Sequence, residues 1–287
     1  LMAKHIMERG EHPVFFYGLP YNGGASVEAH LAALLSIPFG INCVTVKASA
    51  FFLSIALLFI TYLFCLRYLG KTAANIASLL LITAEPLIAW NLKARGGYLE
   101  TMIFSILIPL VAFRIFYQRE KSLRIYAILG FLCGCALWCQ EMSLSILAAI
   151  FLFWLLLDKA FFFRMSFGVF LFFFALGNLP SIYFNFTHSF LNWKDMFLLL
   201  PSPGPLTGQV AEPQAFSFSG FLTYAAGFFD TVHGGYESWP VDPGAQSVYA
   251  WTYFGVIIAG VPLGLYFLQR KTLIWRVFLY CLVFFFF

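Results

Sequence analysis

The chain has 287 residues, of which 61% are hydrophobic and only 10% charged, with 37 phenylalanines and a mean hydropathy of +0.84. Soluble domains carry about 25% charged residues, so a polar coat around an apolar core is excluded and most of this chain has lipid as its solvent. The net charge of +4 does not point to nucleic acid, because the basic residues stand in short clusters between apolar runs, where the positive-inside rule puts them.

Residues 1–40 are charged up to His12, then aromatic and glycine-rich through Phe15–Gly24. The piece Val27–Phe39 follows, with 13 residues. That is too few to cross a bilayer, and it is predicted to lie as a helix at the membrane interface. Apolar runs come next at 44–66, 73–90, 98–117, 124–139, 143–157 and 161–179. A polar-aromatic segment fills 181–248, and two last runs cover 249–268 and 273–287. Each run is predicted helical, because only helices and closed barrels satisfy the backbone in lipid and the alternation of barrel strands is absent.

The expected fold class is therefore all-α, a polytopic transmembrane bundle of about eight spans. Its expected parts are a first outer loop with an interfacial helix (1–40), a six-span core (41–180), a long outer loop (181–248) and two further spans (249–287), the last incomplete. Leu1 in place of a methionine, and an apolar run that stops at Phe287, read as cuts at both ends.

Orientation follows from the basic residues. With 1–40 outside, the inner connections hold Arg67, Lys71, Arg114, Arg119, Lys121, Arg124, Lys159, Arg164, Arg270, Lys271 and Arg276. Of the acids, only Glu120 and Asp158 fall on that side. The inner loops are short and contain little beyond anchoring charge, so the working surface is expected on the outer face. The 181–248 segment is longer than a mere connection and too aromatic for disorder.

Two outer features carry candidate chemistry. Lys93, Arg95, Gly96, Gly97 and Tyr98 place two cations at the outer membrane edge, against the positive-inside tendency. A lipid-linked phosphate sits at that depth, and Arg binds phosphate in a bidentate fork. The paired glycines would let backbone approach a ligand closely. A tight turn with solvated charges is the other reading.

Outer carboxylates gather beside membrane ends at Glu28, Glu85, Glu100 and Glu141. A glycosyl transfer needs a carboxylate as general base and cations for a phosphate leaving group. Glu85 stands inside an apolar run, where an ionisable residue is costly and functional by default. Each Glu also fits an interface residue pairing with Lys or Arg.

Other features say less. The six cysteines lie in or beside apolar runs and read as small apolar fillers. His30, His188 and His233 have no ligand spacing, so neither a metal nor a cofactor is expected. Asn185-Phe186-Thr187 fits a glycosylation sequon, a match that chance readily supplies. Tyr183, Trp193, Tyr224, Tyr236 and Trp239 suit sugar stacking or an interfacial aromatic belt equally.

The stretch HPVFFYGLPYNGGASVEAHLAALLSIPFG, ending at Gly40, resembles the first outer loop of bacterial membrane glycosyltransferases of the GT-C fold. It is similar to the protein mannosyltransferase, or family 39, group that includes the aminoarabinose transferases. ARGGYLE (94–100), LGFLCGCALWCQEMSL (129–144) and LGNLPSIYFNFTH (176–188) agree in order, so the resemblance covers roughly residues 1–190. It implies transfer of a sugar from a polyprenyl-phosphate donor to a glycan, lipid or protein acceptor at the bacterial inner membrane. It also implies an acidic base in the first outer loop, at a position that would lie before Leu1. No Asp occurs before Asp158, which leaves Glu28 and Glu100 as supporting acids, Lys93, Arg95 and Tyr98 at the donor phosphate, and Glu85, Glu141, Asn185 and His188 as secondary candidates.

Two other classes fit the composition. A flippase, polymerase or transporter for lipid-linked sugars should show paired broken helices and ionisable residues near the midplane. A non-catalytic subunit would keep the spans and lose the outer cations and acids.

Overall fold

The computed structural model describes residues 1–17, 24–83, 96–116 and 118–194. Among them the regular structure is helical, with one isolated bridge between Phe15 and Ala25. The helices are α1 (Met2–Arg9), α2 (Val27–Phe39), α3 (Cys43–Tyr68), α4 (Lys71–Thr83), α5 (Tyr98–Phe116), α6 (Leu123–Cys139), α7 (Leu144–Leu157), α8 (Met165–Gly177) and α9 (Leu179–Thr187). Short 3₁₀ turns at Glu141–Ser143 and Lys159–Phe163 lead into α7 and α8.

Two of these helices, α3 and α5, are long and apolar enough to cross a membrane, and α8 with α9 makes a third span if the bent pair is counted as one. This is the architecture of a membrane protein. The shorter apolar helices α2, α4 and α6 fall below that length. The expected spans 249–268 and 273–287, and the outer segment beyond 194, lie outside the described residues.

Local sequence explains where the elements start and bend. Asn42 caps α3: its Oδ1 accepts from the backbone N–H groups of Val44 and Thr45 at 2.8 and 3.0 Å, and the Thr45 hydroxyl accepts from the Asn42 N–H at 3.1 Å. This reciprocal box satisfies donors that a helix start leaves open. With 26 residues, α3 is about 39 Å long and exceeds the hydrocarbon thickness. Phe51, Phe52, Ile55 and Phe59 are exposed along one side of it, the side for lipid. Ala50 and Leu57 pack inward against Leu99 and Ile103 of α5.

The closest helix pair is α6 with α8. A Cβ on Gly130 would meet the Phe170 carbonyl oxygen, one on Gly134 that of Phe174, and one on Gly177 that of Phe131. Helices in lipid gain little from excluding water, so they associate through such close backbone approach at small residues. Beside this seam an aromatic cluster fills the interior. Trp154 stacks on Phe161 with centroids 3.9 Å apart, and Tyr126 stacks on Phe161 from the other helix at 5.4 Å.

After α8 the chain bends by 61° at Asn178 and continues as α9. The sequence places the end of the sixth run at 179 and an outer loop from 181, whereas the backbone stays helical to Thr187. Pro180 explains both facts. It breaks the hydrogen-bond ladder behind it but is well placed at the start of a new helix.

Of the connections assigned from charge to the inner side, two meet each other and two hold an ion pair of their own. Arg67 reaches Gln118 at 3.3 Å, Arg114 pairs with Glu120 at 2.8 Å, and Arg164 pairs with Asp158 at 2.6 Å. Both acids expected on the inner side are thus neutralised locally.

Candidate functional site

At the opposite ends of these helices, pieces far apart in sequence converge. The first loop folds into a short antiparallel arm, with the Phe16 N–H donating to the Gly24 carbonyl at 2.7 Å. Ser26 holds the base of the arm, its hydroxyl donating to the Pro13 carbonyl at 2.5 Å. The arm is fastened to the end of α6 from both strands. Ala25 N–H donates to the Cys139 carbonyl at 3.0 Å, and the Trp138 indole N–H donates to the Val14 carbonyl at 3.2 Å. Phe15 packs edge-on against Phe184 of α9 at 4.9 Å.

Gly96 and Gly97 close the same junction. Both have left-handed backbone, φ +62° and +86°, where a Cβ is penalised. A Cβ at Gly96 would strike the Phe16 ring, and one at Gly97 would strike the Cys139 carbonyl and lie 3.1 Å from Gly24 Cα. The paired glycines were expected to let backbone approach a ligand. What they approach is the protein's own first loop.

The two candidate carboxylates sit beneath this junction. Glu28, in the first turn of α2, is 2% exposed, and Glu100, in the first turn of α5, is 4% exposed. A carboxylate in a first helical turn is favoured by the partial positive charge of the helix start, which helps explain how two acids are tolerated there. Glu28 Oε2 accepts from the Gly96 N–H at 3.0 Å. The Glu28 and Glu100 carboxyls lie close enough for their charges to interact, and the Cys139 thiol is beside Glu100. Neither oxygen of Glu100 accepts a hydrogen bond from a described group. Glu28 and Glu100 thus lie near one another in the interior, with Glu28 holding the Gly96 backbone, rather than lining an open surface.

The remaining candidates divide. Tyr98 is half-buried at the start of α5, beside Gly97 in the chain. Glu141 is half-buried at the 3₁₀ turn after α6, and burial raises its carboxyl above the ordinary range. His188 is exposed and stacks on Phe184 at 4.1 Å. Glu85, Lys93 and Arg95 lie outside the described residues, as do His233, Tyr224, Tyr236 and Trp239.

Asn185 lies inside the fold. Its side chain is fully buried, donating to the Ser181 carbonyl at 2.9 Å and accepting from the Trp193 N–H at 3.1 Å. An amide engaged on both sides inside the protein is a structural pin, not an acceptor for a glycan. Sequence reading passed over this role because a sequon and a buried pin look alike without the fold. Among the described residues no group of three His, Cys, Asp or Glu side chains could hold a metal ion, and Cys43, Cys65, Cys133, Cys135 and Cys139 are free thiols.

Comparison with known protein families, with curated proteins and with solved structures finds no match.

Proposed function

We propose that the chain is the core of a GT-C type membrane glycosyltransferase, a bundle of about eight spans in a bacterial inner membrane. It moves a sugar from a polyprenyl-phosphate donor to a glycan, lipid or protein acceptor on the outer face. The observation that carries this reading is spatial. The first loop, the Gly96-Gly97 pair, the end of α6 and the helix α9 are the four pieces on which the resemblance rests, and they meet at one end of the bundle. In sequence, Arg95 directly precedes Gly96, whose N–H Glu28 accepts.

In this reading Arg95, with Lys93, takes the charge that develops on the departing phosphate, and Tyr98 hydrogen-bonds the phosphate or stacks on the sugar. Preorganised cations aimed at developing charge are the largest ordinary contribution to such a step. Glu28 and Glu100 act as positioning residues. Donor-dependent sugar transfer by the full-length protein in membranes tests the proposal, and absence of transfer across polyprenyl-phosphate sugars would reject it.

The bend between α8 and α9 favours a second reading, since broken spans are the mark of transporters for lipid-linked sugars. Movement of a labelled lipid-linked sugar across proteoliposomes, without transfer, would select it.

A further inference from the structure

We propose that Glu141 is the general base of the transfer, taking the proton of an acceptor hydroxyl. This rests on the transferase reading above and narrows it, because it makes the acceptor an alcohol. An acceptor that attacks through a phosphate oxygen is already ionised at neutral pH and needs no base. The assignment departs from the resemblance, which implies a base in the first outer loop.

Among the described acids, Glu141 is singled out by what the others already do. Glu8 pairs with Lys4, Glu11 is held by Tyr17, His5 and Arg9, Glu120 by Arg114 and Asp158 by Arg164. Glu28 and Glu100 are sealed in the interior. Glu141 is half-buried, and among the described residues no side chain pairs with its carboxyl. A general base must take up a proton and release it in every turnover, which a paired or sealed carboxylate does poorly.

The turn that carries Glu141 is built. Gln140, 3% exposed, ends α6 with extended backbone. The Ser143 hydroxyl reaches back to the carbonyls of Ala136 and Gln140, at 2.6 and 2.7 Å, and closes the turn. Met142, next in the chain, is 60% exposed. Glu141 therefore stands at the boundary between interior and surface on a hydrogen-bonded support, as a positioned catalytic group requires. The turn also belongs to the junction of the candidate site. A Cβ on Gly97 would meet the Cys139 carbonyl and the Gln140 side chain, and Gly97 stands two residues after Arg95 in sequence.

The elements packed on this turn are α5, α6 and α7. At this end they carry Tyr98, Glu100, Cys135 and Cys139 as titratable groups, and no cation. Burial, unopposed by a positive charge, lifts the Glu141 carboxyl above its ordinary value of 4.5, which makes its carboxylate a stronger base. In the step itself the acceptor O–H bond breaks and its proton goes to a Glu141 oxygen. The acceptor oxygen bonds to the anomeric carbon of the donor sugar. The bond from that carbon to the phosphate oxygen breaks, and its electron pair leaves with the phosphate. Glu141 then gives the proton to water.

The test uses the full-length protein in nanodiscs, radiolabelled polyprenyl-phosphate hexoses and pentoses as donors, and membranes depleted of the protein as the source of acceptor. Glu141→Gln should transfer sugar roughly 10²–10⁴-fold more slowly. Glu141→Ala should regain part of the rate in formate, a small carboxylate that fits the space left. The wild-type rate should fall as pH drops through the Glu141 value, above 4.5, and Glu141→Gln should lack that limb. Unfolding separates chemistry from support. Burial penalises the ionised carboxyl, so Glu141→Gln should unfold at the wild-type temperature or slightly above it. Transfer by Glu141→Gln at the wild-type rate and with the wild-type pH profile would overturn the assignment and leave the transferase reading in place. A slow Glu141→Gln that unfolds early, with no formate rescue of Glu141→Ala, would overturn it in favour of a supporting role. A product carrying the sugar on a phosphate, read by mass, would also overturn it. No transfer by the wild type from any donor would remove the transferase reading, and this assignment with it.

Discussion

The Gly96 backbone N–H and the Glu28 carboxylate are joined by a 3.0 Å hydrogen bond across 68 positions of sequence. The bond ties the helix of the first loop to the segment that carries Arg95. Glu28 is buried, so the amide has no solvent to replace this acceptor. Glu28→Ala is expected to lower stability by about 1.5–3 kcal/mol, the range for a hydrogen bond to a charged group. Glu28→Gln keeps an acceptor of the same shape and should lose distinctly less. Thermal unfolding of the detergent-solubilised protein separates the two, and equal losses would mean that the bond to Gly96 is not what matters.

Close approach of backbone gives a second expectation. Gly97→Ala places a methyl against the Cys139 carbonyl on a backbone with φ +86°. Left-handed backbone alone costs an L-residue about 1–2 kcal/mol, and overpacking adds about 1–3 kcal/mol. Gly168, with open space around its Cβ position, is the control within the same chain. Gly168→Ala should unfold at the wild-type temperature or slightly above, and Gly97→Ala well below it. A Gly97→Ala protein as stable as wild type would remove the proposed tight junction.

How much of this was legible in the sequence depends on the kind of signal. Helices α3, α5 and α6 lie within a residue or two of the apolar runs, because in lipid the backbone demand for helix leaves hydropathy little competition. Residues 27–39 form the predicted helix with the same bounds. Burial of Glu28 and Glu100 was not legible, because charge alone does not distinguish an acid that faces solvent from one beneath a loop. The contacts of Gly96 and Gly97 were likewise hidden. A glycine pair reports that something comes close, and only the fold shows that Phe16 and Cys139 do so. The continuation of the chain into α9 was masked by Pro180, which reads as a helix end unless it sits in a first turn.

Asn185 pins a turn whose backbone is unusual for its residues. Ser189 and Phe190 both have positive φ, 54° and 61°. The Phe190 N–H donates to the Asn185 carbonyl at 2.7 Å, while the Trp193 N–H donates to the Asn185 side chain at 3.1 Å. Asn185→Ala leaves the partly buried Trp193 N–H without its acceptor, at a cost of about 1–3 kcal/mol. Asn185→Asp keeps that acceptor but turns a carboxylate oxygen onto the Ser181 carbonyl in a buried site, so it should be no milder. Thr187→Ala removes the sequon without touching the pin and should match wild type in stability. A glycan at Asn185, read by mass, would contradict the burial.

In the first loop, Tyr17 donates to the Glu11 carboxylate at 2.6 Å. That hydrogen bond, aided by His5 and Arg9, holds Glu11 below its ordinary value of 4.5, and it raises Tyr17 above its ordinary value of 10.0. The signs follow from linkage. A lowered carboxyl stabilises the fold above its unfolded value, and this is lost as pH falls through the folded one. A raised phenol stabilises below its unfolded value, and this is lost as pH climbs through the folded one. The difference in unfolding temperature between wild type and Tyr17→Phe should therefore be flat between those two values and shrink at both ends. A difference independent of pH would show that the ring, not the hydroxyl, supplies the effect.

The proposed chemistry makes its sharpest statement at Arg95. If Arg95 stabilises the phosphate as it departs, its contact strengthens in the transition state, and losing one such contact costs about 2–4 kcal/mol, roughly 10²–10³ in rate. Arg95→Ala in the full-length protein should lower kcat by that order. Arg95→Lys should recover only part of it, because a point charge cannot make the two parallel hydrogen bonds of a guanidinium. Arg119 is the comparison. It stands in a connection assigned from charge alone to the inner side, with φ 52°, beside the Arg114–Glu120 pair, so on that assignment Arg119→Ala should transfer sugar at nearly the wild-type rate. Glu28→Gln distinguishes support from chemistry. It loosens the segment that carries Arg95, so it should lower the rate less than Arg95→Ala does and should add little to that variant, because both act through the same group. Arg95→Ala and Arg119→Ala losing activity equally, or neither losing any, would place the phosphate elsewhere. Full additivity of Glu28→Gln with Arg95→Ala would make Glu28 a group that acts on its own.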